Sequence, residues 1–247
     1  MILSIDSPEK GIYEQKCYGN SMDPNLKKKA FAGVIIVPLV LGFMIFLSAW
    51  SINYWQAWVF LVVYTIATGQ MVFSLMKNDP ALLERRMKGG PRAEPRPAQR
   101  IIMWCMSTAF VALFVVSGFD HRFGWSQPSM PLVIVGDTLL VLSFYLFNLV
   151  FRENSFASST IRINEGQKVI STGLYGIIRH PMYFAGMLFI VSIPLALGSL
   201  WSLLVVLPTV PFMGWRIADE EKMLCTELEG YSEYCKKVKY RVIPGLY

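Results

Sequence analysis

Arg179, His180 and Tyr183 surround Pro181 immediately before a run of 34 residues without charge, 182–215. At the far end of that run stands a second polar group, Arg216-Ile-Ala-Asp219-Glu220-Glu221. Polar groups at the mouth of an apolar helix cost several kcal/mol when they are desolvated without partners, so such clusters have a use. The carboxylates suit a ligand with an amino group and a sulfonium centre. Arg216 suits a carboxylate, which its planar guanidinium can hold through two parallel hydrogen bonds. Arg216 and Glu220 are four residues apart and share one helix face, so a plain ion pair capping the last span is the competing reading. His180 could serve as a general base, as a donor to a cofactor, or as a satisfied structural histidine. Asp137 is a further candidate, because acids inside apolar spans are costly. Its place near the end of a span fits a shallow hydrated position equally well.

The elements that must carry these residues are membrane spans. Hydrophobic residues make up 54% of the 247 and charged residues only 16%, against about 25% in a soluble domain. The net charge of +6 is concentrated. Lys77, Arg85, Arg86, Lys88, Arg92, Arg96 and Arg100 fall in one connecting segment, and Lys27, Lys28 and Lys29 abut the first apolar run. Cations that flank spans follow the positive-inside bias and argue against a nucleic-acid partner. With His121 and His180 as the only histidines and no Cys-x-x-Cys pair among Cys17, Cys105, Cys225 and Cys235, no metal site is expected.

Residues 30–76 contain no charge, and 47 positions exceed one crossing of a core about 30 Å thick. The polar break at Ser51, Asn53 and Gln56 divides them into spans of roughly 30–50 and 54–76, with Trp50, Tyr54, Trp55 and Trp58 as an interfacial belt. Residues 77–100, with Gly89, Gly90, Pro91, Pro95 and Pro97, form a basic cytoplasmic loop. Spans at about 101–119 and 131–151 follow, and Pro194 with Gly198 turns 182–215 into a helical hairpin. Leu224, Leu228, Tyr231, Cys235 and Val238 form an apolar stripe on an amphipathic helix, bent near Gly230, that lies against the site or the lipid surface.

The expected fold is therefore an all-α, polytopic integral-membrane bundle of about six transmembrane helices. It forms a single membrane domain over 1–247: a cytoplasmic segment 1–29, four spans in 30–153, and a site-bearing half in 154–247. Both termini and the site face the cytoplasm.

Residues 154–247 resemble the catalytic half of the isoprenylcysteine carboxyl methyltransferase family and the related phospholipid methyltransferases. The matching pieces are Gly166-Gln-Lys-Val-Ile-Ser-Thr-Gly173-Leu-Tyr175, Arg179-His180-Pro181-Met-Tyr183, the uncharged hairpin, Arg216-x-x-x-Glu220-Glu221, and Tyr231-x-x-Tyr234 before Arg241-x-x-Pro244. The resemblance covers 94 residues, and residues 1–153 match only as generic spans. It implies S-adenosylmethionine as cofactor, contacted by Gln167, Lys168, Val169, Ile170, Gly173 and Tyr175. His180, Pro181 and Tyr183 would close around its amino acid and sulfonium, and Glu220 and Glu221 would meet its ammonium or ribose. Arg216 would orient the acceptor, with Glu220 as its catalytic companion. The implied activity is methyl transfer to a lipophilic or amphiphilic acceptor that arrives from the bilayer, through oxygen, sulfur or nitrogen. The tail from Cys225 also resembles the end of the NADPH-dependent membrane sterol reductases, which makes a reductase the main alternative, ahead of a non-catalytic lipid-binding protein. Oligomeric state is left open.

Overall fold

The computed structural model describes residues 23–163 and 166–246. Most of the expected N-terminal segment (1–22, with Cys17) and Tyr247 lie outside the described residues. Among those described, all regular structure is helical: α1 Pro24–Ala49, α2 Trp55–Asn78, α3 Pro80–Met87, α4 Pro97–Phe123, α5 Met130–Glu153, α6 Pro181–Ala196, α7 Leu200–Val206, α8 Thr209–Glu227 and α9 Tyr231–Lys237. Short 3-10 turns occupy Pro91–Ala93 and Gly173–Gly176.

Local chemistry sets these boundaries. Proline opens α1, α3, α4 and α6, where its missing N–H costs nothing and its fixed φ suits the first turn. Asp23 caps α1 by accepting from Asn25 N, and Asp79 caps α3 by accepting from Leu82 N, both at 2.9 Å. Gly124 ends α4 in the left-handed conformation at φ 64.

Among the described residues, five stretches are long and apolar enough to cross a membrane: α1, α2, α4, α5, and α7 with α8 taken together. Only 28–33% of their apolar windows is buried inside the protein. On α1, for example, Ile35, Leu39 and Phe43 point outward. In water such a surface would aggregate; in lipid it is the natural exterior. The chain is a multi-pass integral membrane protein, and its last crossing, α7 with α8, forms a hairpin with the shorter apolar helix α6. At 16 residues α6 is the shortest limb, about 24 Å long.

Close packing holds the hairpin in the bundle. A Cβ at Gly136 of α5 would run into the backbone of Ala196 at the end of α6, so glycine lets the two helices touch. Gly118 does the same for α4 against Ser48 of α1. Between them Leu41, Phe60, Phe114, Leu140 and Ile193 form the buried centre.

At the end of the bundle away from the basic segments, three turns are tied together. Tyr54 Oη donates to Leu197 O at 2.6 Å, and its ring stacks on His121 at 3.9 Å. The buried Asp120 carboxylate accepts from Ser126 N, Ser126 Oγ and Ser199 Oγ at 2.5–2.7 Å.

The basic segment 77–100 departs from the plain loop read in the sequence. Asp79, Pro80 and Pro97 start helices inside it, and Leu82 and Leu83 of α3 are buried against α2 and α5 residues. Because α4 begins at Pro97, Gln99 and Arg100 belong to that helix. Beyond the hairpin, Gly230 (φ 81) separates α8 from α9 at the expected bend.

Candidate functional site

The site lies where the strip formed by 154–163 and 166–180 crosses the ends of α6 and α8. Backbone pairing fixes the strip's end: Arg179 N donates to Tyr240 O at 2.9 Å and His180 N to Arg241 O at 2.8 Å. Pro181 then starts α6, which aims Tyr183 across at α8. The apolar stripe of α8 and α9 (Leu224, Tyr231, Tyr234, Val238) packs on Ile161 beneath the strip and does not face lipid.

An open cleft of about 780 Å³ runs between the strip and α8. Gln167, Lys168, Val169, Ile170, Tyr175, His180, Tyr183 and Glu220 all line it, as do Arg162 and Arg179. Glu220 accepts a hydrogen bond from Tyr183 Oη at 2.6 Å, which fixes one carboxylate oxygen and leaves the other for a ligand. Tyr175 is held by Asn154 Nδ2, which donates to its Oη at 2.9 Å, and by Tyr234 Oη, which donates to its carbonyl at 2.7 Å. Burial pushes the Tyr175 phenol up to about 12.

Four residues expected in the site stand behind its walls. Glu221 is the hub of an ion cluster: Arg179 Nε lies 2.7 Å from Oε1, His180 Nε2 3.1 Å from Oε1, and Arg241 Nε 2.9 Å from Oε2. Its carboxylate is consumed in joining the strip, α8 and the C-terminal tail. Gly173 adopts φ 52, and a Cβ there would meet the Glu153 carboxylate at 2.7 Å, so glycine is required by the turn and by that neighbour. Pro181 shapes the start of α6 and does not line the cleft.

Arg216 is the largest departure. It is buried, and its guanidinium donates to Tyr183 Oη (3.1 Å), Gln99 Oε1 (2.9 Å), Glu94 Oε1 (2.8 Å) and Ser159 O (3.3 Å). Four of its five N–H groups are thereby engaged, and it neither lines the cleft nor pairs with Glu220. It acts on the site through Tyr183, which it holds against Glu220. Asp137, the acid inside α5, does not line the cleft either.

The partners of Arg216 are residues that sequence reasoning missed. The Glu94 side chain is fully buried and accepts from both Arg216 and Ile161 N. Gln99 donates to Asp219 Oδ2 at 2.5 Å, and Arg96 Nη2 donates to Asp219 Oδ1 at 2.8 Å. The basic segment thus straps α8 in place. The available signal was Glu94 itself, an acid amid seven cations.

Chemically, the cleft offers one oriented carboxylate together with the cations Arg162 and Lys168. That combination can bind a small zwitterion with its positive end at Glu220. Among the described residues no group of three or more His, Cys, Asp or Glu could hold a metal ion.

Comparison with known proteins finds two similarities. A Delta(14)-sterol reductase of Mus musculus is 30% identical over 136 residues, covering 49% of this chain and 32% of that protein. The match spans about a third of that relative's length. The model of the phospholipid methyltransferase family matches residues 131–228, from α5 through the strip and the hairpin to the end of α8. It is this segment, holding the cleft, the oriented Glu220 and the buried arginine behind it, that is similar to the phospholipid methyltransferase family.

Proposed function

We propose that the protein is an S-adenosylmethionine-dependent methyltransferase of the membrane that modifies a lipophilic or amphiphilic acceptor arriving from the bilayer. The observation that carries this reading is the Tyr183–Glu220 pair at 2.6 Å, which faces a cleft also lined by Arg162 and Lys168. Glu220 suits the ammonium or sulfonium of the cofactor, and the two cations suit its carboxylate. When bound, the cofactor supplies an electrophilic methyl group.

The chain's own residues position and desolvate. The strip 167–170 forms one wall, and Arg216 locks Tyr183 so that the Glu220 carboxylate has a single orientation. Holding two reactants in line supplies about 7–11 kcal/mol of a barrier without acid–base help. A carboxylate acceptor needs no base. An amine or thiol acceptor must lose a proton, and Glu220 is the group placed to take it. Arg162, Lys168 and Arg179 line this cleft, and the positive-inside bias supports a cytoplasmic side for it.

Similarity to a sterol reductase supports a second reading, in which Arg162 and Lys168 meet the phosphates of NADPH. Calorimetric titration of the purified protein with S-adenosylhomocysteine and, separately, with NADPH decides between them. Binding of S-adenosylhomocysteine alone is expected; binding of NADPH alone would replace the methyltransferase reading with the reductase one.

A further inference from the structure

Three cysteines fall among the described residues, and none of them is in a disulfide. Cys105 lies within α4. Cys225 stands on the last turn of α8 and Cys235 in α9, on either side of the Gly230 bend. That bend folds α9 back on α8: Tyr231 N donates to Leu228 O at 3.2 Å, and Leu224, Tyr231 and Tyr234 share a buried cluster against which Cys235 packs. The two thiols meet across the bend, within hydrogen-bonding reach of each other.

Their surroundings give them different roles. Cys225 is exposed and lies beyond the charged run 219–222, so water and small solutes reach it. Cys235 is half-buried, and burial pushes its thiol up from the ordinary 9.0. The exposed thiol is the one that ionises and meets an oxidant first; the shielded one waits beside it.

We infer that Cys225 and Cys235 form a reversible disulfide under peroxide, and that this bond resets the wall of the cleft. The Cys225 thiolate attacks one oxygen of hydrogen peroxide; the O–O bond breaks, and a sulfenic acid and hydroxide result. The Cys235 sulfur then attacks the Cys225 sulfur, the S–O bond breaks, and the hydroxyl leaves as water. Two thiols and one peroxide thus become one disulfide and two waters, with two electrons passing from sulfur to oxygen. In a reducing compartment such a bond is transient, which suits it to signalling. Residues 225–235 carry Leu228, Tyr231 and Tyr234, which line the cleft. Bonding draws the two sulfurs closer than contact, and α9 toward α8 with them. Tyr234, next to Cys235, holds the Tyr175 carbonyl at 2.7 Å, so the movement disturbs a residue of the binding surface. The disulfide is independent of the cofactor's identity; its effect on affinity rests on the methyltransferase reading.

The full chain in detergent, treated with hydrogen peroxide, blocked with a maleimide and digested without reductant, tests this by peptide mass mapping. A crosslink between Cys225 and Cys235 should be the first product. Dithiothreitol should remove it, and it should be absent from Cys225→Ser and from Cys235→Ser. By calorimetry the crosslinked protein should bind S-adenosylhomocysteine about fivefold more weakly than the reduced protein, the worth of one hydrogen bond. Peroxide should leave the affinity of Cys225→Ser unchanged. A sulfinic acid at Cys225 without a crosslink, a crosslink through Cys17 or Cys105, or one between two chains would overturn the pair. Equal affinity with and without the bond would overturn its control of the cleft. Failure of the reduced protein to bind S-adenosylhomocysteine would count against the methyltransferase reading, and the crosslink map would still decide the pair.

Discussion

The two ends of the bundle are fastened by different chemistry. At the basic end, Glu94, Asp219 and Glu221 are matched with Arg216, Arg96, Arg179 and Arg241 in ion pairs of 2.7–2.9 Å. At the opposite end a single carboxylate, Asp120, is satisfied by hydroxyls and one backbone N–H, and Tyr54 closes the turn onto Leu197. Neutral donors are enough where turns need only to be joined. Charge is spent where side chains must be held in one geometry against a cleft that admits water and ligand, because charge-assisted bonds are stronger and more directional.

The sharpest way to break this contrast is at Glu94. Glu94→Gln keeps the shape but leaves the Arg216 guanidinium buried without its counter-ion, a loss of about 3–5 kcal/mol. Thermal unfolding in detergent should report it as a large fall in midpoint. Arg216→Lys should also destabilise, because it forfeits the fork that reaches Gln99 and Glu94 together. The two changes act on one network, so the double variant should cost less than the sum. Additive losses would show that the pair is not a unit.

At the cleft, Glu220→Gln should weaken S-adenosylmethionine binding by about 1.5–3 kcal/mol, measured by calorimetry, with little change in unfolding midpoint. Loss of stability without loss of affinity would make Glu220 part of the fastening. At the opposite end, Asp120→Asn should cost about 1–2 kcal/mol of stability through weakened hydrogen bonds, and cofactor affinity should not move. If affinity falls as well, the two ends are coupled through the hairpin.

A pH dependence is expected as well. Tyr175 has an ordinary pKa of 10.0 and is raised by burial to about 12, so between these values the folded state holds a proton that the unfolded chain has lost. Its contribution to stability is complete below pH 10 and disappears as pH rises to about 12. Tyr175→Phe should flatten that part of the alkaline unfolding curve; an unaltered slope would assign it to other groups, such as Tyr231 and Tyr234, which burial also raises.

The bundle and the cleft were legible to different depths. Charge-free runs gave the spans, and short-range spacing brought His180, Tyr183 and Glu220 together because both clusters return to the same end of one hairpin. Glu94 and Gln99 were hidden because they meet Arg216 across 122 and 117 residues, and their local context is a basic segment that reads as a loop. Glu221 resembles its neighbour Glu220 in sequence, yet adjacent helix positions face about 100° apart, and only one of them reaches the cleft. Arg216 was placed on the wrong side of Tyr183 for the same reason: spacing along α8 gives its face but not its partners.

The shortness of α6 has a geometric consequence. At ~24 Å it falls about 6 Å short of a core of ~30 Å. None of its residues is exposed, so neighbouring helices and not lipid meet that difference. A limb shielded in this way need not match the thickness of the membrane, and its first turn can carry Tyr183 without reaching the level at which the longer spans end.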